Sequence, residues 1–177
     1  VGARLVGVPL APGAGRSLLA RPYAETEEDG AGVDVVIVGF GPVGRRVARD
    51  LDEAGATYAV VELNEVTVRA LREDGTPAVL GDARTEAVLL SAGTERARSL
   101  VFTVPDDDVA RGTCALARRL NPDAFIATRV THERFAPSLH DAGANCVVVD
   151  ELAVADTMAE EVLPQLVPET ETAPTVG

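Results

Sequence analysis

Three glycines with the spacing of a phosphate-binding turn form the most informative motif of the chain. The segment Gly39-Phe-Gly-Pro-Val-Gly44 follows a β-branched stretch, residues 33–39, and opens a stretch with helical apolar spacing. Between a strand and a helix, such glycines permit a tight turn, close approach of a diphosphate at Gly41, and close helix–sheet packing. Pro42 has no N–H, so we expect the amide of Val43 to be the better phosphate donor at the helix N-terminus.

A carboxylate occupies the position where the second strand is expected to end. Glu62 closes the apolar segment 57–62 and lies 18 residues after Gly44. In this position a carboxylate accepts hydrogen bonds from both ribose hydroxyls and repels a 2′-phosphate, and no arginine follows directly. We therefore predict a site for NAD(H) or AMP or another adenine nucleotide in preference to NADP. The alternative is a glycine-rich turn in a sheet protein that binds nothing.

Further candidate residues follow the third and fourth strands. Asp82 and Ala83 come after Gly81, and Thr103 ends the fourth apolar segment. Ligands bind along this carboxyl edge in parallel sheets, where Asp82 could meet an adenine amino group. Local chemistry equally allows Asp82 to cap the next helix, and Thr103 to be an ordinary strand-end residue.

The elements that must position these residues alternate regularly along the chain. Apolar β-branched runs predict six strands, at residues 33–39, 57–62, 77–80, 99–104, 124–130 and 145–149. Helical spacing, with glycine or proline at the ends, predicts helices at residues 43–54, 65–73, 85–92, 106–120, 132–142 and 151–163, the last stopped by Pro164. The pattern predicts an α/β fold with a doubly wound parallel six-stranded sheet, Rossmann-like, in the order 3-2-1-4-5-6.

Composition divides the chain into three regions. Residues 1–32 are rich in Gly, Pro and Ala and predict a flexible linker, residues 33–164 the nucleotide-binding domain, and residues 165–177 a disordered tail. Because the chain begins with Val, we expect it to be a piece of a longer polypeptide.

Charge excludes several classes of chemistry. The net charge is −12, and all 16 basic residues are arginine. The absence of lysine excludes a lysine-type phosphate loop, a Schiff base and a lysine general base. The acidic balance argues against binding nucleic acid and against docking on an anionic membrane. Phosphates must therefore be held by backbone amides, helped at most by arginine.

Other polar residues favour structural roles. Cys114 and Cys146 lie in apolar surroundings and are expected to be buried free thiols. His132 and His140 have no partners with metal-ligand spacing, so no metal site is expected. Residues 106–108, three aspartates, are interpreted as a helix cap and a solvated face. No catalytic residue is assigned.

The motifs together resemble those of a known family, the domain that regulates potassium conductance (RCK, also called KTN or TrkA-N). Its signature is matched by residues 35–48 and 58–62, then by Gly81-Asp82-Ala83, residues 100–106 and residues 127–130. The sequence Thr103-Val-Pro-Asp is most similar to the cytoplasmic domain of Kef-type potassium/proton antiporters.

The resemblance implies a regulatory domain and not an enzyme. Such a domain binds NAD(H) or adenine nucleotides at the cytoplasmic face of the membrane, forms a homodimer and gates a transmembrane potassium transporter or antiporter. It implies ligand contacts at Gly39, Gly41, Gly44, Glu62, Asp82, Ala83 and Thr103, with Arg129 and Glu133 near the pocket mouth. It also implies that Val154, Met158 and Val162 of the last helix face the partner subunit; alternatively, that helix packs on its own sheet.

Two other functions remain open at this point. One is a fragment of an NAD-dependent oxidoreductase that transfers hydride, and the other is a free-standing soluble nucleotide sensor.

Overall fold

The computed structural model describes residues 32–166. In this part of the chain, six strands form one parallel sheet: β1 (Val35–Val38), β2 (Tyr58–Glu62), β3 (Ala78–Leu80), β4 (Ser99–Phe102), β5 (Phe125–Val130) and β6 (Cys146–Val149). Their order across the sheet is β3-β2-β1-β4-β5-β6. The predicted fold class and strand order are confirmed.

Within residues 32–166, six α-helices connect or follow these strands. They are α1 (Pro42–Ala54), α2 (Glu65–Glu73), α3 (Glu86–Ser91), α4 (Asp107–Leu120), α5 (Ala136–Asp141) and α6 (Asp150–Leu166), with a short 3-10 helix at Glu133–Phe135 before α5. Right-handed crossovers between parallel strands place α1 and α2 on one face of the sheet and α3, α4 and α5 on the other.

The core has two parts, one on each face of the sheet. In β1, Val36 and Val38 belong to the larger part with β4, β5 and the helices α3–α5. Val35 and Ile37 point to the opposite face and pack with α1 and α2. All four side chains are at most 8 % exposed. Because both faces are covered, β1 consists only of Val and Ile, with no polar alternation.

The register aligns the ends of the central strands. Val38 at the end of β1 pairs with Val61 of β2 on one side and with Phe102 of β4 on the other. The loops after β1, β2 and β4 therefore begin side by side. The strand order reverses direction between β1 and β4, which is where ligands bind in open α/β sheets.

Two helix predictions differ from the structure. The single helix expected over residues 132–142 is a 3-10 helix followed by α5, because Pro137 lacks the N–H that would continue a helical hydrogen-bond ladder through that point. The last helix continues through Pro164 to Leu166 instead of ending before the proline. Proline removes one hydrogen bond, and the carbonyl that loses it lies on an exposed helix where water can solvate it.

The predicted linker and most of the predicted tail, residues 1–31 and 167–177, lie outside the described residues. Within residues 32–166, no helix combines the length and apolar character needed to cross a lipid bilayer.

Helix α6 differs from the other long helices because none of its residues is buried. Its apolar side chains remain 42–70 % exposed, and they are Leu152, Val154, Met158, Val162, Leu163 and Leu166. The alternative in which this helix packs on its own sheet is therefore not what the structure shows.

Candidate functional site

A cavity of about 440 Å³ opens at the carboxyl edge of the sheet. Its walls come from the loops after β1, β2, β3 and β4 and from the end of β5, so it lies across the point where the strand order reverses. The volume is within the usual range for a small-molecule site. The fold thus brings residues that are up to 91 positions apart, Val38 and Arg129, to one depression.

The glycine-rich turn forms the floor of this cavity. Gly39 has φ +90°, a conformation that side chains other than glycine rarely adopt. A Cβ atom on Gly44 would overlap the carbonyl oxygen of Gly39, so only glycine allows α1 to start this close to β1. A Cβ atom on Gly41, in contrast, would have no neighbour within 4 Å among the described residues. Gly39 and Gly44 shape the turn, whereas Gly41 leaves open space above it.

The N-terminus of α1 is open toward the cavity. Its N-cap residue is Gly41, which makes no side-chain capping bond, and its first turn contains Pro42 and no acidic residue. In contrast, Asn64 and Asp106 cap α2 and α4 with their side chains. The first-turn amides of a helix have no intrahelical acceptor, and the helix dipole favours an anion beside them. Among residues 32–166, therefore, no side chain caps the amide of Val43, and Val43 lines the cavity.

Glu62 is held in place by backbone amides. Its Oε2 accepts a hydrogen bond from Phe40 N at 2.7 Å, and its Oε1 accepts from Leu63 N at 2.8 Å and Asn64 N at 2.9 Å. These bonds tie the glycine-rich turn to the loop after β2 and fix the carboxylate at the cavity wall. Each carboxylate oxygen can accept further hydrogen bonds, so the group can still bind hydroxyls of a ligand.

Asp82 and Arg84 form an ion pair on the β3 side of the cavity. Arg84 Nη2 donates to Asp82 Oδ2 at 2.6 Å, and the backbone N–H of Arg84 donates to Oδ1 at 2.9 Å. The hydrogen bonds from Arg84 hold the pKa of Asp82 below its ordinary value. The N-cap of α3 is Thr85, so the alternative role of Asp82 as the cap is wrong.

Thr103 and Ala83 supply buried parts of the wall. The Thr103 hydroxyl contacts the glycine-rich turn. It donates a hydrogen bond to the carbonyl oxygen of Gly39 at 2.9 Å, and the carbonyl oxygen of Val38 is a second acceptor at 3.1 Å. Thr103 is 6 % exposed and Ala83 is 5 % exposed. Both residues therefore contribute to the shape of the site more than to its exposed polar surface.

The β5 side of the cavity is bounded by a second ion pair. Arg129 lines the cavity, and its Nε donates to Asp150 Oδ1 at 3.0 Å while Nη2 pairs with Oδ2. Asp150 is the first residue of α6. Next to it, Glu151 Oε1 accepts from the backbone N–H of Glu133 at 2.9 Å. This bond lowers the pKa of Glu151, and a contact with His132 adds to the effect.

Most of the predicted ligand residues meet at this one cavity. Those lining it are Gly39, Gly41, Val43, Glu62, Asp82, Ala83 and Thr103, together with Arg129. Gly44 lies beneath the turn, and Glu133 is outside the lining, on the loop that contacts α6. Their contacts with a ligand remain predictions.

Several lining residues were not singled out from the sequence. Arg84, Leu63 and Phe40 belong to this set. Each follows a predicted ligand residue by one or two positions, so its place in the loop after a strand is the signal that the sequence offers.

The two cysteines and the two histidines lie outside the lining of this cavity. Cys114 is fully buried, and burial raises the pKa of its thiol to about 11. Both cysteines are free, as predicted, but the prediction that both are buried is wrong for Cys146, which is only half-buried in the edge strand β6. Within residues 32–166, no group of three or more His, Cys, Asp or Glu residues is placed to hold a metal ion.

Comparison with known proteins connects this geometry to a family. The TrkA-N domain model matches residues 35–150. The putative cation/proton antiporter YbaL of Escherichia coli K12 is 35 % identical over 125 residues, which are 71 % of this chain and 22 % of YbaL. The putative K(+) efflux antiporter KefB of Alkalimonas amylolytica is 29 % identical over 144 residues, 81 % of this chain and 22 % of KefB.

Solved structures agree with the sequence matches. The crystal structure of the TrkA-N domain of YbaL from Escherichia coli has a TM-score of 0.73 and 33 % identity, covering 76 % of this chain and 99 % of that one. The GsuK channel bound to NAD has a TM-score of 0.61 and 27 % identity, covering 68 % of this chain and 22 % of that one. GsuK bound to ADP has a TM-score of 0.62 at the same identity, covering 69 % of this chain and 32 % of that one.

The two antiporters are much longer than this chain, which spans about a fifth of each. The match nevertheless covers all six strands of the sheet, from the start of β1 to the start of α6. The chain belongs to the TrkA-N domain family, and its resemblance to the RCK/TrkA-N domains of Kef-type antiporters is confirmed.

Proposed function

We propose that this chain is a regulatory domain that binds NAD(H) or an adenine nucleotide and gates a potassium transporter or antiporter. The observation that carries the proposal is the uncapped N-terminus of α1 on the floor of the cavity, with the fixed carboxylate of Glu62 on its wall. The first group suits a phosphate and the second a ribose diol. GsuK, a related channel, has been solved with NAD and with ADP.

The protein acts in this proposal by binding, without catalysing a reaction on its ligand. The relatives that support this view are transporters and channels. By analogy with them, the domain lies at the cytoplasmic face of the membrane and is coupled to a transmembrane partner. A ligand with different affinities for two arrangements of the domain shifts the population between them, which is sufficient for gating.

The proposed assembly is a homodimer formed through α6. Val154, Met158 and Val162 are four residues apart, so they lie on one face of the helix, and their side chains are 52–64 % exposed. Water exposure of such an apolar face is costly, and a second copy of this helix would cover it.

Analytical ultracentrifugation tests this interface. Met158→Glu should shift the chain to a monomer, whereas Thr157→Glu is the matched control and should leave the dimer unchanged. A monomeric wild type, or equal effects of both substitutions, would refute this interface.

Isothermal titration calorimetry of the 177-residue chain tests the binding proposal. NAD, NADH, AMP and ADP are the titrants, with NADP as the comparison. We expect binding of at least one of the first four and much weaker binding of NADP, because Glu62 repels a 2′-phosphate. Gly41→Val should abolish binding and leave the fold largely intact, since a Cβ at this position has no neighbour within 4 Å among residues 32–166. Unchanged affinity in this variant would exclude the cavity as the site.

A further inference from the structure

Among the residues that the structure describes, two arginines line the cavity, Arg84 and Arg129, and each is already paired with a carboxylate of the chain. The Arg84–Asp82 pair is local and largely exposed, with 57 % and 35 % of the side chains accessible. The Arg129–Asp150 pair is the least exposed of the ion pairs among residues 32–166, at 23 % and 28 %. A partly buried pair holds its two groups more strongly than an exposed one.

The Arg129–Asp150 pair joins the cavity to a helix that has few other contacts. Asp150 begins α6, and no residue of that helix is buried. A second side chain of α6, Glu151, attaches the helix to the loop after β5. It contacts Glu133 N and His132 Nδ1. The direction in which α6 leaves the sheet is therefore set largely by its first turn, where one of the two anchoring carboxylates is bound to a cavity residue.

A phosphate bound in the cavity has the guanidinium of Arg129, which already pairs with Asp150, within the same lining. The guanidinium of Arg129 offers a planar pair of donors that suits a carboxylate and a phosphate equally well. α6 contains five acidic and no basic residues, so its first turn has no other cation to offer Asp150. A ligand phosphate that reaches Arg129 would compete with Asp150 and loosen the first turn of α6.

We infer that Asp150 is an internal competitor for the phosphate of the bound nucleotide and couples occupancy of the cavity to the position of α6. This inference rests on the function proposed above and deepens it by naming the residues that regulate the site. Coupling between two sites is reciprocal. A change that removes the competitor must therefore strengthen binding of a phosphorylated ligand, and must do so only through Arg129.

Calorimetry with ADP and with adenosine tests this coupling. In Asp150→Asn, which keeps the shape of the side chain, we expect ADP to bind about fivefold to tenfold more tightly than in the wild type. Adenosine has no phosphate, so its affinity should not change. Glu151→Gln is the matched control, because it removes the same charge from the same helical turn without touching Arg129; ADP affinity should stay within about twofold. Thermal melting confirms that each variant is folded.

The double variant separates competition from a general charge effect. In Arg129→Gln, ADP binding should weaken, and adding Asp150→Asn should then have no further effect. The inference is overturned if Asp150→Asn leaves ADP affinity unchanged, if Glu151→Gln tightens it equally, or if the gain persists without Arg129. Failure of the wild-type chain to bind ADP, NAD or AMP would instead overturn the proposed function itself, and the inference with it.

Discussion

The backbone N–H of Phe40 donates a 2.7 Å hydrogen bond to Oε2 of Glu62, which joins the glycine-rich turn after β1 to the end of β2. The other carboxylate oxygen accepts from the amides of Leu63 and Asn64. One side chain therefore fixes two of the four loops that surround the cavity. Glu62 has a structural role in addition to the ribose contact proposed for it.

Replacing Glu62 by Gln should affect both roles. The amide NH2 of glutamine would meet at least one backbone donor, leaving that pair unsatisfied, so we expect a loss of about 1–3 kcal/mol in the free energy of unfolding. Preference for NAD over NADP should also fall, because the carboxylate charge is gone. Urea denaturation and calorimetry measure the two effects. Glu65→Gln, which breaks only an exposed pair with Arg69, should cost less than about 0.5 kcal/mol. Equal behaviour of the two variants would contradict this account.

The third glycine of the motif should be the one least tolerant of a methyl group. In Gly44→Ala the new Cβ overlaps Gly39 O, so we expect a destabilisation of about 1–3 kcal/mol or more. Gly112 lies inside α4 with open space at its Cβ position, and Gly112→Ala should stabilise the protein by about 0.5–1 kcal/mol. The midpoints of urea unfolding distinguish the two. A tolerated Gly44→Ala would mean that α1 does not approach β1 as closely as the structure has it.

A buried asparagine at the end of α4 should contribute strongly to stability. Asn121 is 8 % exposed, and its Nδ2 donates to Thr94 O at 2.8 Å and to Ala97 O at 2.9 Å. Its Oδ1 accepts from Ala124 N at 3.0 Å. Asn121→Ala leaves these backbone groups without partners and should cost about 2–3 kcal/mol. Asn64→Ala, which removes one exposed N-cap bond, should cost about 1 kcal/mol. Thermal unfolding would contradict this ranking if Asn64→Ala were the more damaging change.

The pH dependence of stability should include a contribution from Asp34. Its Oδ2 accepts from Thr57 N at 2.9 Å and from the Thr57 hydroxyl at 2.7 Å. The backbone bond first, and then the hydroxyl, hold the pKa of Asp34 below its ordinary value. A carboxyl with a lowered folded pKa stabilises the protein above its unfolded pKa of about 4, and this stability is lost as the pH falls through the folded pKa.

Asp34→Asn removes this titration. Between about pH 5 and pH 3 the melting temperature of the wild type should therefore fall more steeply than that of the variant. Parallel curves for the two proteins would show that the carboxylate contributes nothing in this range.

The sheet and most of the cavity could be predicted from the sequence because their signals are local. Unbroken β-branched runs such as Val35–Val38 identify strands buried on both faces, and parallel topology then limits the order. Because the carboxyl ends of parallel strands share one edge, Gly41, Glu62 and Thr103 could be assigned to one site before their positions were known.

The remaining features depend on contacts that sequence spacing does not reveal. Arg129 and Asp150 are separated by 21 residues and by the whole of β6, so neither sequence position indicates the other. The 3-10 helix over residues 133–135 and the continuation of α6 through Pro164 differ from the predicted helices only in local hydrogen-bond pattern. Apolar spacing does not distinguish such similar patterns. The absence of buried residues in α6 is likewise a tertiary property, since its apolar residues alone would also fit a helix packed on the sheet.

The central claim, that a nucleotide phosphate binds at the N-terminus of α1, is tested most directly by amide chemical shifts in nuclear magnetic resonance. Titration of the isotope-labelled chain with ADP should move the amide signals of Gly41 and Val43 most, because these residues line the cavity at the N-terminus of α1. The shallow depression between α2 and Leu80 provides the internal comparison, and its Arg72 signal should not respond. Shifts centred on that depression, with the signals of the glycine-rich turn unchanged, would contradict the account.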